Sequence, residues 1–163
     1  MTRTRRPIAT PWWARYMREC RFVDGGRAAN LVDCFGLLCQ VYADQLGITL
    51  TPWPALTLET AVASHADLTC PPFTTAFFPV QNGFEQAFDA VVIRRPYPVE
   101  GRLRRGWWHV GVVTRPGHLL HMDAAMGVVE QPFRDTAEAR GLVTLRPDNL
   151  RLFRHQDMMA RAA

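Results

Sequence analysis

Lysine is absent from this 163-residue sequence, so all 19 of its basic side chains are arginines. An arginine-only composition is typical of a GC-rich coding genome. The formal net charge of +4 favours an anionic partner, including a polyanionic cell envelope. The arginines are scattered, and no helix-turn-helix pattern, zinc-finger spacing or RNP-like aromatic motif accompanies them. The sequence therefore predicts no nucleic-acid partner.

The sequence also lacks any apolar run approaching the roughly 18 residues of a membrane span, and we predict no such span. Its first residues, MTRTRRPIATPWW, are basic. No apolar stretch of about 7–15 residues follows them, so we expect no secretory signal peptide. Action outside the cytoplasm then requires another route of delivery.

No CxxC pair or zinc-ribbon spacing joins the four cysteines, which are Cys20, Cys34, Cys39 and Cys70. Without an export signal we expect reduced thiols. Cys20 and Cys39 fall on helical stretches and are interpreted as small core residues. A zinc site made of His118, His121 and Cys34 is disfavoured, because residues three apart on a strand point to opposite faces. We therefore predict neither a metal nor another cofactor.

The length fits one domain, which we place over residues 11–163 behind a basic arm over residues 1–10. With 48% apolar and 21% charged residues, the composition is that of an ordinary globular protein. A chain of this length buries about 70% of its unfolded surface, so it needs no covalent staples to fold.

Apolar residues at helical spacing predict a first helix over residues 11–20 and a stronger one over residues 34–46. Asp33 stands where an N-cap would be, and Gly47 stands where a C-cap would be. Cys34 is therefore expected at a helix N-terminus.

The later part of the chain has the texture of strands. The predicted strands cover residues 88–94, 108–114, 118–123, 128–131 and 150–154. Helices followed by an antiparallel meander indicate an α+β fold.

Two stretches are predicted to be irregular. Residues 48–83 contain one short helix over residues 57–65, and whether they form a lid is left open. The basic stretch Arg94–Arg105 is interpreted as a loop between two strands. It is either solvated, or it holds a substrate carboxylate or docks a partner protein.

Three residues in three predicted elements are of the types that a thiol active site requires. The thiolate is the reactive form of cysteine, and a helix N-terminus favours it, so Cys34 is the candidate nucleophile. His109 opens the strand over 108–114 and is the candidate base. His121 lies an even number of residues away around the Pro116-Gly117 turn, so both histidines should point to one face, with His121 orienting His109.

Four ordered motifs carry a family resemblance. They are FVDGG at residues 22–26, DCFGL at residues 33–37, HVGV at residues 109–112, and His121 twelve residues after His109. Together they resemble the NlpC family of cell-wall cysteine peptidases over roughly residues 11–131, and most closely its phage-tail branch.

The resemblance implies a papain-like α+β fold, in which the nucleophile begins a helix packed on a small antiparallel sheet. It implies hydrolysis of a peptidoglycan stem-peptide amide, typically between D-glutamate and the diamino acid. Cys34, His109 and His121 would be nucleophile, base and orienting residue. Asp33 would sense a substrate amine, and the Cys34 N–H would contribute to an oxyanion hole.

Two positions depart from the family pattern. Phe35 stands where many relatives have serine, although phage-type members often have an aromatic residue there. Phe22 stands where many have a tyrosine whose hydroxyl helps to bind substrate. The second departure bears on the rate and the exact substrate.

The leading hypothesis is a tail-associated peptidoglycan endopeptidase of a phage or prophage. It would be made in the host cytoplasm, carried on the virion tail beside other tail-tip proteins, and act in the periplasm or cell wall. Two alternatives are an antibacterial effector amidase with the same chemistry and an inactive structural tail-tip subunit. The pairs Trp12-Trp13 and Trp107-Trp108 are interpreted as packing residues, with a sugar-binding groove as the alternative.

Overall fold

The computed structural model describes residues 9–50, 76–99, 101–133 and 147–160. The predicted helix over residues 57–65, Cys70 and all but the last two residues of the predicted arm lie outside these ranges. In the described part of the chain, no helix is long and apolar enough to cross a membrane.

A six-stranded antiparallel sheet forms the centre of the molecule. Its strands are β4 (Phe77–Val80), β5 (Ala90–Val99), β6 (Arg102–Arg115), β7 (His118–Asp123), β8 (Gly127–Pro132) and β9 (Leu150–His155). Their order is β4-β9-β5-β6-β7-β8. The predicted meander is confirmed for β5 to β8, whereas β9 inserts between β4 and β5. The prediction that the whole stretch 48–83 apart from its short helix is irregular was wrong at β4.

The first helix begins later than predicted, at Ala14 instead of Pro11, whereas the second begins at Cys34 as predicted. The first helix, α1, covers Ala14–Glu19. The second, α2, covers Cys34–Val41 and continues as a π-helical turn over Tyr42–Leu46, which ends at Gly47 with a φ of 64°. A positive φ suits glycine because it has no Cβ. A third short helix, α3, covers Gln156–Ala160.

A second, small sheet stands before α2. It consists of three two-residue strands, β1 (Arg21–Phe22), β2 (Arg27–Ala28) and β3 (Leu31–Val32), in the order β1-β3-β2. Two-residue strands carry no readable periodicity, so the sequence predicted only a turn here.

The main core lies between α2 and one face of the large sheet. It joins Leu37, Leu38 and Val41 of α2 to strand residues that include Val110 and Val112. A helix that begins with Cys34 thus packs on an antiparallel sheet, and the predicted α+β class is confirmed.

The basic stretch Arg94–Arg105 is not a loop, and that prediction was wrong. Strands β5 and β6 continue through it, with register pairs from Arg94↔Trp107 to Val99↔Arg102. Strand β9 pairs with β5 only as far as Ile93. Within the described residues, the two strands beyond that point pair only with each other. They form a ribbon that projects past the sheet.

Two prolines lie on one side of this ribbon. Pro96 stands opposite Arg105, and Pro98 stands opposite Leu103. Proline has no N–H to donate to a ladder, so both ring nitrogens face the outer edge of β5. The charge and the prolines explain why the segment looked like a loop in the sequence.

Candidate active site

Cys34 is the first residue of α2, and the capping group before it is Asp33. The Gly36 N–H donates to Asp33 Oδ1 over 2.7 Å, and the Arg27 guanidinium forms an ion pair with the same oxygen. Asp33 is buried. In this structure its carboxylate fixes the start of the helix, and its predicted role toward a substrate amine stays a prediction.

Glycines hold the helix start against the small sheet. A Cβ on Gly36 would lie 2.2 Å from the carbonyl oxygen of Gly26, and one on Gly26 would lie 2.5 Å from that of Leu31. Both distances are shorter than any real contact, so two main chains meet here because neither residue has a side chain. The FVDGG and DCFGL motifs are therefore in direct contact.

The Cys34 thiol lies where β6 and β7 separate. The ladder between these strands ends at the pair Gly111↔His121. One residue beyond it, the Val110 N–H interacts with the Cys34 sulfur, as does the N–H of Phe35. The sulfur therefore lies beside the main chain of Val110, the residue after His109.

The structure brings the two predicted histidines together. His109 Nε2 and His121 Nδ1 are 2.9 Å apart, and both side chains are buried. Gly111 makes this contact feasible, because a Cβ there would lie 3.2 Å from His121 Cβ and 2.8 Å from the Leu120 carbonyl oxygen. The absence of a side chain at Gly111 thus leaves room for the contact between His121 and His109.

The charge state of the site differs from the expectation of a resting thiolate. Burial, followed by the charge of Asp33, raises the pKa of Cys34 to about 11, although two N–H groups oppose the shift. Burial, followed by His121 and Arg95, holds the pKa of His109 well below its usual value. For Cys34, the effect of burial on the pKa is therefore larger than the opposite effect of the helix N-terminus. The thiol and the imidazole are both neutral at rest.

His121 is also neutral. Burial, assisted by the charge of Arg95, lowers its pKa to about 4, while the Gln131 side chain acts in the opposite sense. Gln131 stands opposite Leu119 in the ladder between β7 and β8. It therefore shares a sheet face with His121.

Three further side chains lie beside the histidines. The sequence offered Trp108 and Arg95 only as members of the Trp107-Trp108 pair and of the basic stretch, and it did not single out Asp123. The register of β5 and β6 shifts between Ile93 and Arg94, leaving Trp108 as an extra residue whose ring centroid is 5.5 Å from that of His109. Trp108 Nε1 donates to the Arg95 carbonyl over 3.1 Å, and Arg95 forms an ion pair with Asp123 over 3.5 Å. A bulge has no sequence signature that would have located these residues.

The remaining candidates have packing environments. Cys20 is buried as predicted, whereas Cys39 is half-buried and lines a pocket of about 230 Å³ on the Gln40 face of α2. Trp12 packs on Phe88 with ring centroids 4.8 Å apart. In the described ranges, no cluster of three His, Cys, Asp or Glu side chains could hold a metal ion.

Comparison with known proteins shows structural likenesses at low sequence identity. Among solved structures the chain is similar to the NlpC/p60 domain of the peptidoglycan hydrolase SagA, with 17% identity and a TM-score of 0.44 over 70% of this chain and 78% of that one. No protein-family model and no curated protein matches the sequence. At this distance the likeness assigns neither a residue nor an activity to the chain.

Proposed function

We propose that this protein is a cysteine peptidase that cleaves the stem peptide of bacterial peptidoglycan, between D-glutamate and the diamino acid. We further propose that it acts on a phage or prophage tail, where it opens the wall for passage of the genome. Cys34 is the nucleophile, His109 the base and His121 the orienting residue.

The observation that carries this proposal is the meeting of three elements at one point. The Cys34 sulfur at the start of α2 lies beside the N–H of Val110, and the preceding His109 contacts His121 over 2.9 Å. A thiol, an imidazole and a second group that orients the imidazole are the parts that nucleophilic amide hydrolysis requires. The NlpC-like motifs supply the substrate class and the phage-tail setting.

The neutral resting pair determines the order of proton movements. In this mechanism His109 carries its proton on Nε2, in the hydrogen bond to His121 Nδ1, and uses Nδ1 as the acceptor. As the Cys34 sulfur attacks the amide carbonyl, His109 takes the thiol proton, and the Cys34 N–H contributes to stabilising the oxyanion. His109 then returns the proton to the leaving amine, and water hydrolyses the resulting thioester.

Digestion of purified sacculi tests the activity, with released muropeptides identified by mass spectrometry. We expect a cut between D-glutamate and the diamino acid, and a loss of at least about a thousandfold in rate for Cys34→Ala. Cys39→Ala, five residues along α2, is the matched control and should retain the rate. Equal background release by the wild type and Cys34→Ala would contradict the proposal.

The second candidate is a structural tail-tip subunit that has lost activity. Phe22 lacks the hydroxyl of the family tyrosine, and a Cys34 pKa of about 11 describes a weakly activated thiol. Under this alternative, the Phe22→Tyr substitution gives no release of muropeptides, whereas in a working enzyme it leaves the rate equal or raises it. An antibacterial effector amidase would share the cut but not the location on a virion, which immunolabelling of tails distinguishes.

A further inference from the structure

The mechanism above does not use the charged side chains beside the histidines, Arg95 and Asp123. Arg95 lies on β5, at the base of the projecting ribbon, and its side chain is 25% exposed. Its charge contributes to lowering the pKa of both His109 and His121. A cation therefore stands beside the candidate catalytic pair and remains open to solvent.

The acid that faces Arg95 is only loosely bound to it. Asp123 Oδ1 accepts the N–H groups of Ala125 and Met126 over 2.9 and 3.1 Å, which commits that oxygen to the turn between β7 and β8. Only Oδ2 faces the guanidinium, at 3.5 Å. A guanidinium has five N–H donors, so among the residues that the structure describes this contact leaves most of the Arg95 donors for another acceptor.

The main chain around Arg95 fixes where those donors lie. Trp108 Nε1 donates to the Arg95 carbonyl, and the Trp108 ring contacts that of His109 at an angle of 76°. The bulge at Trp108 thus ties the Arg95 backbone to the candidate base. The other arginines of the ribbon are exposed, and the alternation of a strand turns Arg94 to the opposite face.

We propose that Arg95 binds a carboxylate of the substrate, the free carboxylate of the D-glutamyl residue next to the cleaved amide. This deepens the proposed function and rests on it. A guanidinium recognises a carboxylate through two parallel charge-assisted hydrogen bonds. The subsite selects stem peptides in which this carboxylate is free over those in which it is a primary amide.

Paired substrates test the subsite in a kinetic experiment. One peptide carries the free D-glutamyl carboxylate, and the other is identical except for an amide at that position. We expect the wild type to cleave the acid form with a kcat/KM about 10–100-fold higher, mostly through KM, because charge-assisted hydrogen bonds have about this effect. Arg95→Gln should lose this preference, whereas the neighbouring Arg94→Gln should keep it.

A binding measurement separates failure of the subsite from failure of the enzyme proposal. The same two peptides are titrated by calorimetry into Cys34→Ala and into the double variant with Arg95→Gln. A preference for the acid form in Cys34→Ala that disappears in the double variant supports the subsite, even if no peptide is cleaved. Equal affinity for both peptides, or no binding of either, overturns it.

Discussion

At the residue scale, the candidate site is defined by neutral groups in a desolvated corner. Cys34, His109 and His121 all have pKa values shifted away from their charged forms, and burial is the first cause in each case. The resting site therefore lacks the thiolate–imidazolium pair that the helix N-terminus suggested. The proton must move during attack, which makes the orientation of His109 more important than the dipole of α2.

The reactivity of Cys34 should report this state directly. With a pKa of about 11, its alkylation by iodoacetamide should rise about tenfold for each pH unit between about pH 7 and 9, because only the thiolate reacts. Peptide mass spectrometry separates this rate from those of the other cysteines. Asp33→Asn keeps an N-cap but removes a nearby negative charge, so it should accelerate the reaction. A plateau near neutral pH would instead reveal a stable ion pair.

Stability should fall in acid because of the histidine pair. An unfolded histidine titrates near 6.5, whereas His121 in the folded state titrates at about 4. Between these values the unfolded chain binds more protons, so stability is complete above about pH 6.5 and declines below it. The contribution of His121 is on the order of 3 kcal/mol. In urea unfolding, the free energy of unfolding of His121→Asn should depend less on pH than that of the wild type. The same pH dependence in both proteins would argue against the neutral pair.

At the element scale, the position of α2 depends on two glycines that have no room for a side chain. Gly36→Ala places a Cβ 2.2 Å from the Gly26 carbonyl oxygen, so we expect a loss of about 2–4 kcal/mol in unfolding free energy and a displaced Cys34. Gly47→Ala is the control, since open space surrounds that position and only its positive φ costs about 1 kcal/mol. Equal losses in chemical denaturation would contradict the steric argument.

Features of this fold that depend on neighbouring residues could be predicted from the sequence, and those that depend on distant pairing could not. The start of α2 and the Pro116-Gly117 hairpin depend on near neighbours, so caps, spacing and turn residues located Cys34, His109 and His121. The position of β9 between β4 and β5 depends on pairing across the chain, which no local pattern encodes. Arg95 was one of several arginines in an apparent loop, because the bulge at Trp108 that places it leaves no trace in composition.

At the scale of the whole molecule, an ion pair with a buried carboxylate joins β9 to the start of β5. Asp89, just before β5, is fully buried and accepts two hydrogen bonds of 2.8 Å from Arg154 of β9. These residues are 65 positions apart in the sequence, so the contact links two distant parts of the chain. The sheet is therefore complete only when the last strand has docked between two others.

Removing one partner of this pair should destabilise the whole domain. Asp89→Asn leaves Arg154 partly desolvated without its anion, and we expect a loss of about 2–4 kcal/mol in a single cooperative transition. The exposed Asp148 of the same region offers a control, and Asp148→Asn should stay within about 0.5 kcal/mol. Thermal and urea unfolding both measure the difference, and a loss as small as that of the control would refute a closing role.

The prolines of the projecting ribbon have a consequence for how copies of this protein meet. The edge of β5 offers no hydrogen-bond donors at Pro96 and Pro98, whereas the facing strand keeps its N–H groups at Leu103 and Arg105. Of the two ribbon edges that the structure describes, β6 is therefore the better one for an added strand to pair with. If β6 of one molecule pairs with β6 of another, neither β6 edge is left for a third molecule. Self-association through the ribbon would then end at a symmetric dimer instead of growing into a filament.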